Sequence, residues 1–323
     1  MKILLFMKAA AAAALMISAV AARADAFPVK PVLFVAPFAP GGAVDILARA
    51  MAQGMTKEFS QSVVVENKAG ASGIIGSQFV AQAKPDGYTI LLGTTTNFGI
   101  HPSFHPKLPY DVVRDFSPVM LIATIPHVLV VNPSFPANTL DEFLKVARER
   151  KGGLTFGSAG IGSPHHLAGE LLRTRTGIQA THVPYKGSGP AMLGVMSGEI
   201  DFMSTELTAA LAQIKSGKVK AIALAGTKRS PELAVPTYAE AGLPDFVITA
   251  WYAMFAPSAT PKATIARLND AASKALSSGD VREKLSSLGA DPTGGTPELL
   301  GKHVKEEIAR WAVAVKSSGA TME

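Results

Sequence analysis

Gly41 and Gly42 stand where an apolar run, Pro31 to Pro37, gives way to a helical pattern opening at Ala43. A strand, a glycine turn and a helix start leave main-chain N–H groups facing outward, where the helix dipole adds about half a unit of positive charge. Such a turn can hold a carboxylate or a phosphate, with Phe38 and Ala39 in the same loop. It can equally be a tight strand-to-helix connection. Asp45, one turn further on, either complements the dipole or orients a water or a ligand ammonium. Thr94, Thr95, Thr96 and Asn97 follow a second apolar strand. They can donate hydrogen bonds without carrying charge, or cap the next segment. Ser158, Gly162 and Ser163 occupy the matching position further along the chain.

Reactive chemistry finds less support. The phosphate-loop pattern G-x-x-x-x-G-K-[ST] fails because Gly42 is followed by Ala43-Val44-Asp45, and G-x-G-x-x-G fails after Gly160-Ile161-Gly162. No serine stands in G-x-S-x-G, and H-E-x-x-H is absent. His165 and His166 are adjacent, so a helix turns them to different faces, and a metal held by that pair is not expected. His166 is read instead as an orienting group beneath the loop. Lys186, in a Gly/Ser turn, could meet a carboxylate or be solvated. Asp201, on an apolar strand, is either a buried hydrogen-bonded acid or a site residue. Neither a metal nor a cofactor is expected.

The elements that must position these residues follow an α/β grammar. Val44, Leu47, Ala48, Met51, Met55 and Phe59 recur at steps of three or four, one stripe of an amphipathic helix. Strands are expected at 62–66 and 88–92, with a helix over 77–83 between them. The pattern restarts after about residue 125: strands at 128–131, 154–156, 182–185, 200–203 and 219–224, with helices between. Thr139-Leu140-Asp141-Glu142 fits a capping box, and Pro164 suits the first turn of a helix running to Thr176. Beyond residue 250 the pattern reads as mostly helical, over 261–277, 281–288 and 297–316. Continuous apolar strands alternating with helices imply mostly parallel sheets. Two such sheets facing each other would bring their strand-end loops to one cleft, as in a clamshell that closes by hinge motion.

Lys2 and Lys8, an apolar stretch from Ala9 to Val20, and Ala22-Arg23-Ala24 read as a cleavable export signal over residues 1–24. The stretch is shorter than the roughly 20 residues a span needs. Its removal takes three positive charges and no acids from the formal +6, leaving +3. No Lys/Arg cluster of the kind that tracks a phosphate backbone exists, so nucleic acid is not an expected partner. With no cysteine in 323 residues, stability must rest on burial alone.

The segment from Pro37 to Asp45 resembles the P-F-x-P-G-G-x-x-D motif of Bug-type solute receptors, the extracytoplasmic components of tripartite tricarboxylate transporters. Glu66 to Gly73, Lys84 to Thr89, Leu108 to Asp111, Gly160 to Ser163 with His166-Leu167, His182 to Gly187 and Lys228 to Pro231 agree in order. The resemblance implies a two-lobed periplasmic-binding (Venus flytrap) fold, with lobe I formed by 25–124 plus 251–323 and lobe II by 125–250. It implies capture of a small organic carboxylate without catalysis and delivery to a membrane permease, by a monomer in the periplasm. The ligand loops it implies are Phe38 to Gly42, Thr94 to Asn97 and Ser158 to Ser163; Tyr185 and Ser204 join the candidate set. Ser204-Thr205-Glu206-Leu207-Thr208 departs from the family's Phe-Asp-Asn/Ser-Leu-Pro, and His101 stands where Asn often precedes Pro. Glu206 near a cleft would disfavour excess negative charge on that side of a ligand. A sensory partner of a membrane kinase and a periplasmic enzyme acting on a carboxylate are the rival readings.

Overall fold

Strand β1 (Val32–Ala36) is apolar on both faces because both are covered. Val32, Phe34 and Ala36 face a core shared with α1 (Ala43–Phe59), while Val35 faces a second core on the other side. This alternation places β1 between β2 (Val63–Asn67) and β3 (Thr89–Thr94), both parallel to it, one strand in from the edge of the first leaf of the sheet. The computed structural model describes residues 27–105 and 107–318, and the export signal read over 1–24 lies outside them. No helix among the described residues is long and apolar enough to cross a membrane.

The leaf continues through β9 (Thr249–Pro257), antiparallel to β3, and then β4 (Phe116–Val131), antiparallel to β9. β4 runs on past Pro126, and its last five residues belong to a second leaf. There it pairs with β7 (Phe202–Glu206) and β8 (Lys220–Leu224), while β5 (Leu154–Ser158) lies parallel to β7 and to β6 (Ala180–Pro184). Each leaf therefore carries three parallel strands, and antiparallel strands join the leaves. A short β10 (Asp291–Pro292) edges β4.

Ten helices cover the leaves among the described residues, most of them on helix periods legible in the sequence. α2 (Ile74–Ala81) follows a 3₁₀ turn at Ala71–Gly73, and a π turn over Thr95–Ile100 runs into α3 (His101–Phe104). In the second leaf α4 (Leu140–Glu149) opens at the expected box: Thr139 Oγ1 accepts the Glu142 N–H at 3.2 Å. α5 (Pro164–Thr176) and α6 (Ser188–Ser197) follow β5 and β6, and α7 (Leu207–Lys215) follows β7. The chain then returns through β9 to α8 (Lys262–Ser277), α9 (Gly279–Ser287) and α10 (Pro297–Ser318).

Strand β9 corrects the mostly helical reading beyond residue 250. Ala250, Tyr252, Met254 and Ala256 face one core, and Trp251, Ala253 and Phe255 face the other. Because both faces are buried, the hydrophobic alternation that marks a strand is erased.

Candidate functional site

The ends of β1, β3, β5, β6 and β7 all lead to one small cavity between the two leaves. From the first leaf come Phe38 and Gly42 after β1, Val44 in the first turn of α1, and Thr94, Thr95 and Thr96 at the end of β3. The second leaf contributes Ala159, the Pro164-His165 start of α5, Ser188 at the start of α6 and Glu206 at the end of β7. Ala250 and Tyr252 of β9 close the floor. Neither Gly42 before α1 nor Gly187 before α6 supplies a side-chain cap, so the first-turn amides of both helices are open to an anion.

The leaves are closed on each other. Ala39 N–H donates to Lys186 O at 3.3 Å, and a Cβ on Gly189 would lie 2.6 Å from Pro40 O. The cavity left between them is small, with room for about one water. A more open groove of about 310 Å³ also lies between the leaves, lined in part by Ser72, His101, Phe104, Tyr185 and Lys186.

The remaining candidates hold the loops rather than line the cavity. Gly41 has φ +84°, a left-handed conformation that suits glycine. Its N–H donates to Asp45 Oδ2 at 3.2 Å, while Arg49 Nε donates to Asp45 Oδ1 at 2.9 Å. Asp45 thus ties the glycine turn to its own helix, and those bonds outweigh burial to hold its carboxyl below the usual range. Asn97 lies beneath, accepting from Thr94 Oγ1 at 2.7 Å. Ser163 caps α5, accepting the His166 N–H and donating to Gly160 O at 2.6 Å. Gly162, at φ +72°, donates its N–H to His166 Nδ1 at 3.2 Å. His166 stacks on His182 with ring centroids 4.0 Å apart, and so orients the loop from below. Ser158 Oγ lies 2.6 Å from His182 Nε2 and is fully buried, away from the cavity.

Asp201 lies away from the cavity lining. It precedes β7, whose other end carries Glu206. It accepts Thr155 N–H at 2.8 Å and Thr155 Oγ1 at 3.0 Å, and it pairs with Arg150. It is an acid that pins the beginning of β7 to β5.

Three polar residues absent from the expected set converge on the floor: His127, His165 and Tyr252. Glu206 joins them from β7 and is 4% exposed. Its Oε2 is 2.9 Å from His165 Nε2, and its Oε1 accepts from Tyr252 OH at 2.7 Å. Burial alone would raise the Glu206 pKa. The neighbouring histidines and the bonds from His165 and Tyr252 overcome this and keep the carboxyl well below its usual range. Burial pushes His127 down to about 3, so its ring is neutral near pH 7. Its Nδ1 lies 3.3 Å from Ser204 Oγ, which places Ser204 beneath the floor. Sequence spacing carried no sign of this group, because its members stand 38 residues or more apart and are brought together by tertiary pairing such as that of β4 with β7, His127 opposite Glu206.

A clamshell of two α/β leaves with helix starts gathered around a closed polar cavity has the form of a periplasmic solute receptor. Two solved structures share it. An R. palustris protein solved with adipate matches at a TM-score of 0.89 and 35% identity, over 91% of this chain and 99% of its own. MatC from Rhodopseudomonas palustris, with bound malate, matches at 0.85 and 38%, over 90% and 100%. The chain belongs to the tripartite tricarboxylate transporter receptor family, whose pattern spans residues 47–320. BugT of Bordetella pertussis is 37% identical over 302 residues, 93% of each chain.

Proposed function

We propose that the protein is an extracytoplasmic receptor that closes two lobes, 25–124 plus 251–323 and 125–250, on a small organic carboxylate. It then presents the loaded form to a membrane permease of the tripartite tricarboxylate type. The observation that carries this reading is the convergence of uncapped helix starts from both leaves on one cavity between them. Amides at the start of α1 would hold one carboxylate, and the start of α6 would swing in as the leaves meet. The hydroxyls of Thr96 and Ser188 add neutral donors, those of Thr94 and Thr95 being given to Asn97 Oδ1 and the Trp251 carbonyl. Because the closed cavity is so small, capture requires the leaves to part about Pro126 and Thr249, where the chain crosses between them.

An enzymatic role has less to support it. Two serine–histidine contacts occur among the described residues: Ser158 with His182 is buried off the cavity, and Ser204 with His127 lies beneath its floor. Burial pushes both rings down to about 3, too low for a base working near neutral pH. The floor also constrains the ligand. An anion about 5 Å from the Glu206 carboxylate would be repelled by roughly 3 kcal/mol at an effective dielectric of about 20. The ligand must therefore keep a neutral or donor group on that side, or bring a cation with it.

Thermal melts of the receptor against a panel of organic acids, adipate and malate among them, test the reading. A binder at a hundredfold its Kd adds about 2.7 kcal/mol of stability and a rise of several degrees. A folded protein that no acid stabilises would contradict it.

A further inference from the structure

The floor of the cavity holds an arrangement that its hydrogen bonds do not explain. His127 is fully buried, and its Nδ1 is directed at Ser204 Oγ, 3.3 Å away. A serine hydroxyl can donate or accept, but in either case His127 Nε2 lies 3.9 Å from Glu206 Oε1, beyond hydrogen-bond reach, and has no partner. A buried ring nitrogen left without a partner is costly, and a cation between it and the Glu206 carboxylate would satisfy both groups. His165 brings a second imidazole to the same point: its Nε2 is 2.9 Å from Glu206 Oε2, and its buried Nδ1 has no partner. Nε2 can carry the proton that bonds Glu206; an ion bound at this point would move that proton to Nδ1, which no other group occupies, and take the Nε2 lone pair.

We propose that His127, His165 and Glu206 hold a divalent transition-metal ion at the floor of the cleft, and that the captured carboxylate completes its coordination. The three donor atoms lie within 4.8 Å of one another. Ligands about 2.0–2.1 Å from a tetrahedral metal are spaced about 3.3 Å apart. His165 Nε2 is 2.9 Å from Glu206 Oε2 and His127 Nε2 is 3.9 Å from Oε1, so a small rotation of the carboxylate brings one oxygen to both imidazoles. Two imidazoles and one carboxylate suit zinc, nickel or copper rather than magnesium or calcium. Ser204, holding His127 through its other nitrogen, is the outer partner such a ligand requires. The ion also removes the conflict at the site. Glu206 would otherwise repel the anion the cleft is built to take, whereas a dication turns the same wall attractive. The ligand is then a carboxylate able to share its oxygen with a metal, such as a hydroxy acid. This second half rests on the receptor reading above; the metal site itself does not.

The test strips the receptor with a chelator, verifies its fold by circular dichroism, and titrates it with Zn²⁺ by calorimetry and Co²⁺ by visible absorption. One equivalent per chain is expected, with the intense d–d bands of tetrahedral cobalt. His127→Gln and Glu206→Gln abolish uptake, while the gentler Ser204→Ala weakens it by about 10- to 100-fold. His303→Gln, on α10 away from the floor, leaves it unchanged. No saturable uptake by folded protein, or uptake equal in His127→Gln, would show that the group is only hydrogen-bonded and would overturn the site. Malate is expected to tighten Zn²⁺ binding, and Zn²⁺ to tighten malate binding by the same factor. Equal acid affinity with and without Zn²⁺ would overturn the shared coordination. If Zn²⁺ fails to bind while organic acids still raise the melting temperature, this inference falls and the receptor reading stands. If Zn²⁺ binds and no acid does in either state, the metal site stands and the receptor reading falls.

Discussion

Replacing Gly189 by alanine should block closure without harming either leaf. Gly189 lies in the first turn of α6 and is not in a left-handed conformation, so alanine suits its helix, by up to about 1 kcal/mol in an exposed interior. Across the cleft, however, the new Cβ would lie 2.6 Å from Pro40 O, 3.1 Å from Gly41 C and 3.2 Å from Gly42 N. All three are main-chain atoms that cannot rotate aside. Restoring ordinary contact requires the leaves to separate by roughly 0.8 Å, and overpacking of this kind costs about 1–3 kcal/mol. If the ligand is held only in the closed form, its affinity falls by about 5- to 150-fold. Gly42→Ala provides the contrast. Its Cβ meets Ser188 Oγ at 2.6 Å, a side-chain atom free to rotate, and the next neighbour is 3.4 Å away. Its loss should stay below about threefold. Calorimetric titration of both variants with whichever organic acid stabilises the wild type measures the difference, and urea melts show whether the fold is intact. Gly189→Ala binding as tightly as wild type would refute closure through these turns.

Other outcomes follow from the buried polar groups. Burial is the main reason the His101 pKa falls from 6.5 to about 3 in the folded protein. The unfolded chain therefore takes up a proton first, and stability contributed by the neutral ring is lost as pH falls from about 6.5 toward 3. The slope is up to about 1.4 kcal/mol per pH unit, and His101→Gln should flatten it by about one proton; urea midpoints between pH 7 and 4 would show an unchanged slope if this is wrong. Tyr252→Phe removes the 2.7 Å donor to Glu206 and should cost about 1–3 kcal/mol in urea denaturation. Asp201→Asn should lower stability by about 1 kcal/mol, yet leave acid affinity within about twofold. A large loss of affinity there would return Asp201 to the site.

Features fixed by local chemistry were legible in the sequence. Pro164 opens α5 as read, and the Thr139 box caps α4, with Glu142 Oε2 reaching back to Asn138 N–H at 2.7 Å. The glycine turn after β1 and the threonines after β3 were found because strand ends and helix starts have their own residue signatures. What escaped was set by tertiary pairing. Thr249–Pro257 is buried on both faces, so it shows no alternation, and missing β9 meant missing Tyr252. Of two adjacent histidines the sequence favoured His166 over His165. Both are buried, and only the approach of β4 and β7 shows that His165 faces the cavity while His166 props the loop.

The structure of the receptor with a stabilising acid bound bears most directly on how the ligand is held. An acid oxygen is expected about 3 Å from main-chain N–H groups at the start of α1, with the start of α6 closed over it. An acid group lodged in the open groove beside Tyr185 and Lys186, with the α1 amides facing only water, would contradict the account.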